Sequence, residues 1–477
     1  MLFNSLEFIL FFIVVSVSFF LTPSKWRWLF LLIASYFFYM CWKMEYALLI
    51  IGSTVFTFYV TAWMEKQKEK KKRTIALVSI LICNLGILFL FKYFNFFSGA
   101  FNDILGIFSS TGSQVTLRLL LPVGISFYTF QIIGYSLDVY WERHKSEKHL
   151  GVFALYVVFF PQLVAGPIER SSQLIPQFYE KKTFQPDNIV VGLKIMIWGF
   201  FKKLVIADKI AAFVDPIFTS PDEFNALWTI VAVLLFAIQI FCDFSGYTDI
   251  AIGTARVMGF TLMQNFNRPY FAKSITEFWR RWHISLSQWI NDYLYTPIVL
   301  GKREWGRNGI LYALVVTFTL VGFWHGAEWT FVFFGLSHGL IMAFEVISKK
   351  QRKKIYKKLP NWPISLITTL LTFLFWCLSL ILFRSSNLSD AFTTYKKLFS
   401  SDFGNAAALR TALPMFTIAC GILMLGIQLL KEINIDLDNR ISRMPWIMQG
   451  LFYITIITLI GFYGAYHGNQ EFIYFQF

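Results

Sequence analysis

The sequence predicts an all-α polytopic membrane protein of about 11 transmembrane helices, at about 20 apolar residues each, with re-entrant and interfacial helices among them. Three observations predict it. Of the 477 residues 56% are hydrophobic and 19% aromatic, against 15% charged, more apolar surface than a soluble fold can hide. Long apolar runs recur along the whole chain. Short basic runs punctuate them, as the positive-inside rule requires of cytoplasmic loops.

In chain order, Leu2 to Leu21 is the first run. It contains Glu7, lacks a basic leader and has no small-residue cleavage site, so it reads as a retained helix and not a removed signal peptide. Spans over 5–22, 29–42, 46–64, 75–92 and 117–140 place EKQKEKKKR (65–73) and ERHKSEKH (142–149) in the cytoplasm, and KKQRKKIYKK (349–358) joins them. Spans near 363–383, 412–430 and 445–466 follow, leaving the N-terminus and the tail outside. The net charge of +15 is therefore read as orientation plus contact with anionic membrane lipids, and nucleic acid is not an expected partner. Five cysteines lie scattered in apolar stretches without a C-x-x-C pair, so neither a disulfide framework nor a metal site is expected. No linker divides the chain. It reads as one integral-membrane domain, 1–477, with N-terminal helices (1–140), a catalytic core (150–347), C-terminal helices (363–466) and an aromatic tail (467–477).

The middle departs from simple spanning helices. FFPQLVAGPIERSSQLIPQF (159–178) carries three prolines, and a long polar segment runs from Asn265 to Asn308. Broken backbone at membrane depth survives only where protein or water surrounds it, so re-entrant pieces lining a chamber are expected. Within TEFWRRWHISLSQWINDYLYTP (276–297), Trp279, Trp282, Leu286, Trp289, Ile290 and Tyr293 share one face of a helix at about 100° per residue. Arg281, Ser285, Gln288 and Asp292 take the other, the pattern of an interfacial helix capped by Thr276, with His283 at the edge of the apolar face.

Six histidines carry the chemistry that can be read. His144 and His149 lie in a charged loop, and His467 follows the last span without a motif. His325 is different: it stands in an apolar run, beside Gly326 and between Trp324 and Trp329. An imidazole in hydrocarbon is costly and marks a pathway or a reaction site. His338, thirteen residues on, falls about 140° around a continuous helix and so is not its direct partner. Neutral imidazole accepts a proton from a hydroxyl near pH 7. No G-x-S-x-G elbow, H-E-x-x-H pair or Walker loop is present. The economical reading is direct transfer, in which histidine activates a hydroxyl that attacks an activated acyl carbonyl. Asp243, Ser245 and Tyr247 in CDFSGY are polar within a membrane run and either line the tunnel or bridge helices.

FWRRWHISLSQWINDYLY, then FWHGAEW and GLSHG, together with LLPVGISFYTFQIIGYSLDVY (120–140), FFPQLVAGPIER (159–170) and CDFSGYTDIAIGTARVMGF (242–260), resemble the membrane-bound O-acyltransferase family. The similar branch is the bacterial one that includes the alginate O-acetylation membrane subunit. The resemblance implies a ring of tilted helices around a central tunnel, in a multi-pass protein of the bacterial cytoplasmic membrane. It makes His325 the central active-site histidine and His283 the second one; the residues themselves, apart from the resemblance, put Trp324 and Trp329 on the wall of the pocket, with His338 as a further lining candidate. It implies acetyl-CoA or another acyl thioester as cytoplasmic donor, a polysaccharide acceptor outside, and an extracytoplasmic acetyltransferase partner. Arg280, Arg281, Lys302, Arg303 and Arg307 either hold the donor's phosphates or simply obey the positive-inside rule. Tyr474, in the aromatic tail GNQEFIYFQF, is either part of an interfacial anchor or a hydroxyl that carries the acyl group in relay. A lipid or protein acceptor remains an alternative, as does a secondary transporter.

Overall fold

The computed structural model describes residues 1, 3–108, 116–117, 119–164, 166–404, 406–466 and 472–473. Among them are helices and no strand. Among the described residues eight helices are long and apolar enough to cross a membrane: Glu45–Lys66, Lys70–Asn102, Ala226–Val257, Arg307–His325, Trp329–Tyr356, Asn361–Arg384, Met415–Glu432 and Trp446–Tyr463. Leu6–Leu21 is a shorter apolar helix. The protein is an all-α, multi-pass membrane protein.

The chain forms two compact units, Met1–Met196 with Ala251–Met263, and Ile197–Ile250 with Gln264–Phe477. In the first unit Phe3, Phe8, Phe38 and Phe160 build an aromatic core, with Phe3 and Phe8 centroids 4.7 Å apart. Two buried polar side chains inside it are tied together: Ser53 donates to Asn84 at 2.6 Å, and Asn84 donates to the Ile80 carbonyl at 2.9 Å. A membrane interior demands such pairing. The two basic runs of this unit meet, because Arg73 pairs with Glu142 and donates to the Tyr140 carbonyl at 2.6 Å, while Ser146 donates to Glu65. That puts 65–73 and 142–149 on one face, as the charge pattern predicted.

Two boundaries differ from the sequence reading. The span expected at 75–92 runs as Lys70–Asn102, since KKKR contains good helix formers and the chain passes Phe89–Tyr93 in a π-helical turn without a break. The span expected at 117–140 is helical only over Ile125–Tyr140, because the chain turns at Pro122 before entering it.

In the second unit Arg307–His325 and Trp329–Tyr356 form a close hairpin. Their backbones touch at Gly322 and Gly335, where an added Cβ on Gly322 would lie 2.7 Å from the Gly335 nitrogen. Small residues at a crossing are how membrane helices approach this closely. The expected interfacial helix over 276–297 is instead two short helices, Ile275–Arg281 and Ile284–Ile290, then a π-helical turn Asn291–Tyr295 and Thr296–Gly301. Its cap is Ser274, whose Oγ accepts from the Glu277 amide at 3.0 Å, and not Thr276. Thr276 is held by Glu345, which accepts from its hydroxyl at 2.6 Å and from the Ile275 amide at 2.7 Å. The aromatic face of this segment is buried in protein: Trp279, Trp282, Leu286 and Trp289 are all core residues.

Candidate active site

The break between the two short helices falls on His283. Its backbone is left-handed, φ +43° and ψ +56°, a region that costs a side-chain-bearing residue energy. Asn265 holds the break. Its carbonyl accepts from the Ile284 amide at 2.9 Å, and its Oδ1 accepts from the Ser285 amide at 3.1 Å while lying 3.4 Å from His283 Nδ1. The Asn267 amide meets the Arg281 carbonyl at 2.9 Å, so the polar strand before the helices is stitched to both sides of the histidine. His283 is fully buried, with the Phe244 ring edge-on at 4.6 Å. Burial pushes its imidazole down to about 3, so the ring is neutral at physiological pH.

His325 is the last residue of Arg307–His325. The helix stops because Gly326 is extended, and only glycine fits there: an added Cβ would lie 2.1 Å from the Phe331 ring. The His325 ring is buried among Trp324 (4.9 Å), Phe383 (5.3 Å) and Phe334 (6.1 Å). Trp324 is also 6.5 Å from His283, so one indole neighbours both histidines. Both imidazoles therefore sit at helix breaks around a shared aromatic wall.

His338 does not lie on the same helix as His325, contrary to the continuous-helix reading, because the chain breaks at Gly326–Glu328. It takes a bond from Trp279 Nε1 at 3.2 Å on Nδ1, and its Nε2 lies 3.1 Å from Ser379 Oγ. Ser379 donates its own proton to the Trp376 carbonyl at 2.8 Å, which leaves Nε2 of His338 as the donor. Both ring nitrogens are thus used in tying three segments together, and Phe334, 4.6 Å away, links it to the His325 wall.

A cavity of about 520 Å³ opens between the His283 segment and the helix that ends at His325, with neither histidine among its lining residues. Arg280, Ile284, Ser287, Gln288, Asn291 and Val321 are among its lining residues.

The sequence profile of the membrane-bound O-acyltransferase family matches residues 146–379. The chain is 38% identical over 410 residues to a probable alginate O-acetylase AlgI of Pseudomonas aeruginosa, covering 84% of this chain and 75% of that protein. The chain belongs to the membrane-bound O-acyltransferase family. It is therefore an acyltransferase. Similarity extends to a peptidoglycan O-acetyltransferase of Helicobacter pylori, 32% identical over 96% of this chain and 92% of that one. A teichoic acid D-alanyltransferase of Bacillus subtilis is 28% identical over 56% of this chain and 69% of its own length.

Within this family member the remaining sequence-chosen residues fall into groups. Arg280 is exposed and borders the cavity, whereas Arg281 is held by Glu277 at 2.6 Å and Glu432 at 3.0 Å. Lys302 lies 4.4 Å over the Trp305 ring, and Arg303 and Arg307 are exposed. Trp324 is buried but Trp329 is half exposed, at the start of its helix. Asp243, Ser245 and Tyr247 are all buried: Ser245 accepts from Lys202 at 2.9 Å, Asp243 pairs with Lys203 at 2.6 Å, and Tyr247 lies 5.2 Å from the Lys203 ammonium. Tyr474 and His467 lie outside the described residues. Asn265, Glu345 and Lys203 were not singled out from sequence. An asparagine opening a polar segment looks like a loop residue, and only the fold brings it under His283.

Proposed function

We propose that this enzyme moves an acyl group, acetyl foremost, from a cytoplasmic thioester such as acetyl-CoA to a polysaccharide outside the bacterial cytoplasmic membrane. The observation that carries the reading is the pair of buried imidazoles around Trp324; a cavity bordered by Arg280 and lined in part by Ile284, the residue after His283, supports it. The relatives' names support the acceptor class, since alginate, peptidoglycan and teichoic acid are all polymers.

His325 takes the proton from the acceptor hydroxyl as its oxygen attacks the thioester carbonyl. The carbon–sulfur bond then breaks, and the imidazolium returns the proton to the departing thiolate. Neutral His283 orients the acyl group. Arg280 at the cavity, with Lys302, Arg303 and Arg307 nearby in sequence, supplies charge for the donor's phosphates; Arg281 supports them through its ion pairs with Glu277 and Glu432.

Tyr474 is the first acceptor. Its phenol oxygen forms an ester, which an extracytoplasmic acetyltransferase partner passes on to the polymer. A phenoxide, pKa about 10, leaves more readily than an alkoxide, so this ester is a competent donor. Seating of the preceding residues, Phe472 and Ile473, in the protein interior supports a tail that enters the site. The test is Tyr474→Phe, with surface-polysaccharide ester content compared between cells lacking the gene and cells carrying either form. Wild-type ester levels with the variant overturn the relay; unchanged levels on deleting the gene overturn the polysaccharide reading itself.

A further inference from the structure

The second unit holds a cluster of buried charges that the chemistry above does not use. Helix Pro186–Phe200 runs into a π-helical turn, Phe201–Ala207, before Asp208–Thr219. That wide turn presents two consecutive lysines, both buried, to the helix that carries CDFSGY. Lys202 reaches Asp249 at 2.7 Å, and Lys203 reaches Asp243 at 2.6 Å and Asp208 at 2.7 Å. The approach is possible because the backbones cross at Gly199 and Gly246, where an added Cβ on Gly246 would lie 2.9 Å from the Gly199 carbonyl oxygen and 3.1 Å from the Lys203 nitrogen.

The same turn is where the C-terminal tail is attached. The Leu204 carbonyl accepts from the Ala465 amide at 3.1 Å, just past the end of Trp446–Tyr463. Asp243 Oδ2 accepts from the Ile473 amide at 2.9 Å. Phe472 is fully buried, its ring 4.6 Å from Tyr247 and 5.5 Å from Phe244. Phe244 is in turn the ring set edge-on against His283. One ammonium faces two carboxylates here, so Asp243 has acceptor capacity beyond its ion pair, and the tail amide fills it. A carboxylate accepting an amide proton away from water makes a charge-assisted bond, about twice as strong as a neutral one.

We propose that Lys203 and Asp243 form a clamp that seats the C-terminal tail against the Phe244–His283 side of the site, acting as positioning residues for acyl transfer. Lys203 is fully buried, so orienting the chain in the membrane does not account for it. The seating stands by itself; its consequence for turnover rests on the acyl-transfer reading.

The test uses the full chain in detergent, treated with carboxypeptidase and followed by intact mass. Wild type should resist trimming at Ile473 and Phe472. Asp243→Ala should lose both about 10- to 100-fold faster, the change in released tail that a charge-assisted hydrogen bond sustains. Asp243→Asn keeps an acceptor oxygen and leaves Lys203 matched one-to-one with Asp208, so it should fold and trim at an intermediate rate. The same variant should lower kcat and leave KM for the thioester unchanged. Tyr474→Phe should trim as wild type does, which separates failure of the clamp from failure of the relay. Trimming of wild type through Ile473 at the rate of a free peptide overturns the clamp, whether or not Asp243→Ala folds. Faster trimming of Asp243→Asn with unchanged kcat overturns its positioning role.

Discussion

Replacing His283 separates the cost of its backbone from the work of its ring. The residue is left-handed and fully buried, so alanine and glycine there remove the same imidazole but differ in backbone strain. A side-chain-bearing residue in the left-handed region costs about 1–2 kcal/mol, which glycine avoids. Glycine gives back about 0.4–1 kcal/mol through the greater freedom of its unfolded chain. His283→Gly should therefore be about 0.5–1 kcal/mol more stable than His283→Ala, although both lose transfer activity by about 100-fold, the order that misplacing the reacting groups costs. Burial holds the wild-type imidazole near 3, below its ordinary value of about 6.5. Because the folded value is depressed, the unfolded chain binds a proton between those limits that the folded chain refuses. The stability associated with neutral His283 is complete above about pH 6.5 and falls toward pH 3, by at most about 1.4 kcal/mol per pH unit. Moving from pH 7 to pH 5 should thus cost wild type about 2 kcal/mol that His283→Gly does not lose. Thermal unfolding in detergent at both pH values, beside thioester turnover at pH 7, reads all of these quantities. Alanine as stable as glycine refutes the strain argument, equal pH slopes refute the buried neutral ring, and a glycine variant keeping a third of turnover refutes the catalytic role.

Three further outcomes follow from the same geometry. His325→Ala should abolish acyl transfer while leaving membrane insertion and detergent elution unchanged; turnover above about a tenth of wild type is more than loss of a general base allows. Asn265→Ala removes the acceptor for the Ser285 amide beneath His283, and unfolding should register about 1–3 kcal/mol of lost stability. Acetyl-CoA supplied only outside sealed, right-side-out vesicles should yield no labelled product, because the basic segments are assigned to the cytoplasm; efficient labelling from that side reverses the path.

Much of the architecture was legible because lipid imposes one simple rule, apolar runs long enough to span. The runs at 46–64, 363–383, 412–430 and 445–466 correspond to Glu45–Lys66, Asn361–Arg384, Met415–Glu432 and Trp446–Tyr463. The pairing of Arg73 with Glu142 joins the two basic loops that charge alone had put on one side. Where the rule is relaxed, periodicity misled. The 276–297 segment has a clean helical stripe, yet Asn265 captures the amides of Ile284 and Ser285 and breaks it at His283. A stripe records which side chains are buried, and it is insensitive to a local turn when both halves keep their aromatic faces inward. The same blindness applied to His338, whose angular offset from His325 presumed a helix that Gly326 ends.

The placement of the two histidines at such breaks has a chemical sense under the proposed mechanism. A base that gains a proton for one step needs its cation stabilised briefly and its neutral form available otherwise. His325 closes a helix of 19 residues, and the C-terminal end of a helix carries about half a negative charge in unmatched carbonyls. That charge complements the imidazolium formed during transfer and costs nothing in reorganisation, because it is built into the backbone. His283 is set among Phe244, Trp324 and Asn265, and its burial favours the uncharged ring. Under the proposed mechanism the two buried histidines around Trp324 thereby have different work. In the proposed mechanism His325 cycles through a cation at a helix end, and His283 stays neutral, a polar contact for the acyl group that does not compete for the proton. If they were interchangeable bases, His283→Gly and His325→Ala would flatten the same limb of the pH–rate profile. The asymmetry instead predicts a profile that keeps its shape, at reduced height, in His283→Gly, and loss of turnover in His325→Ala.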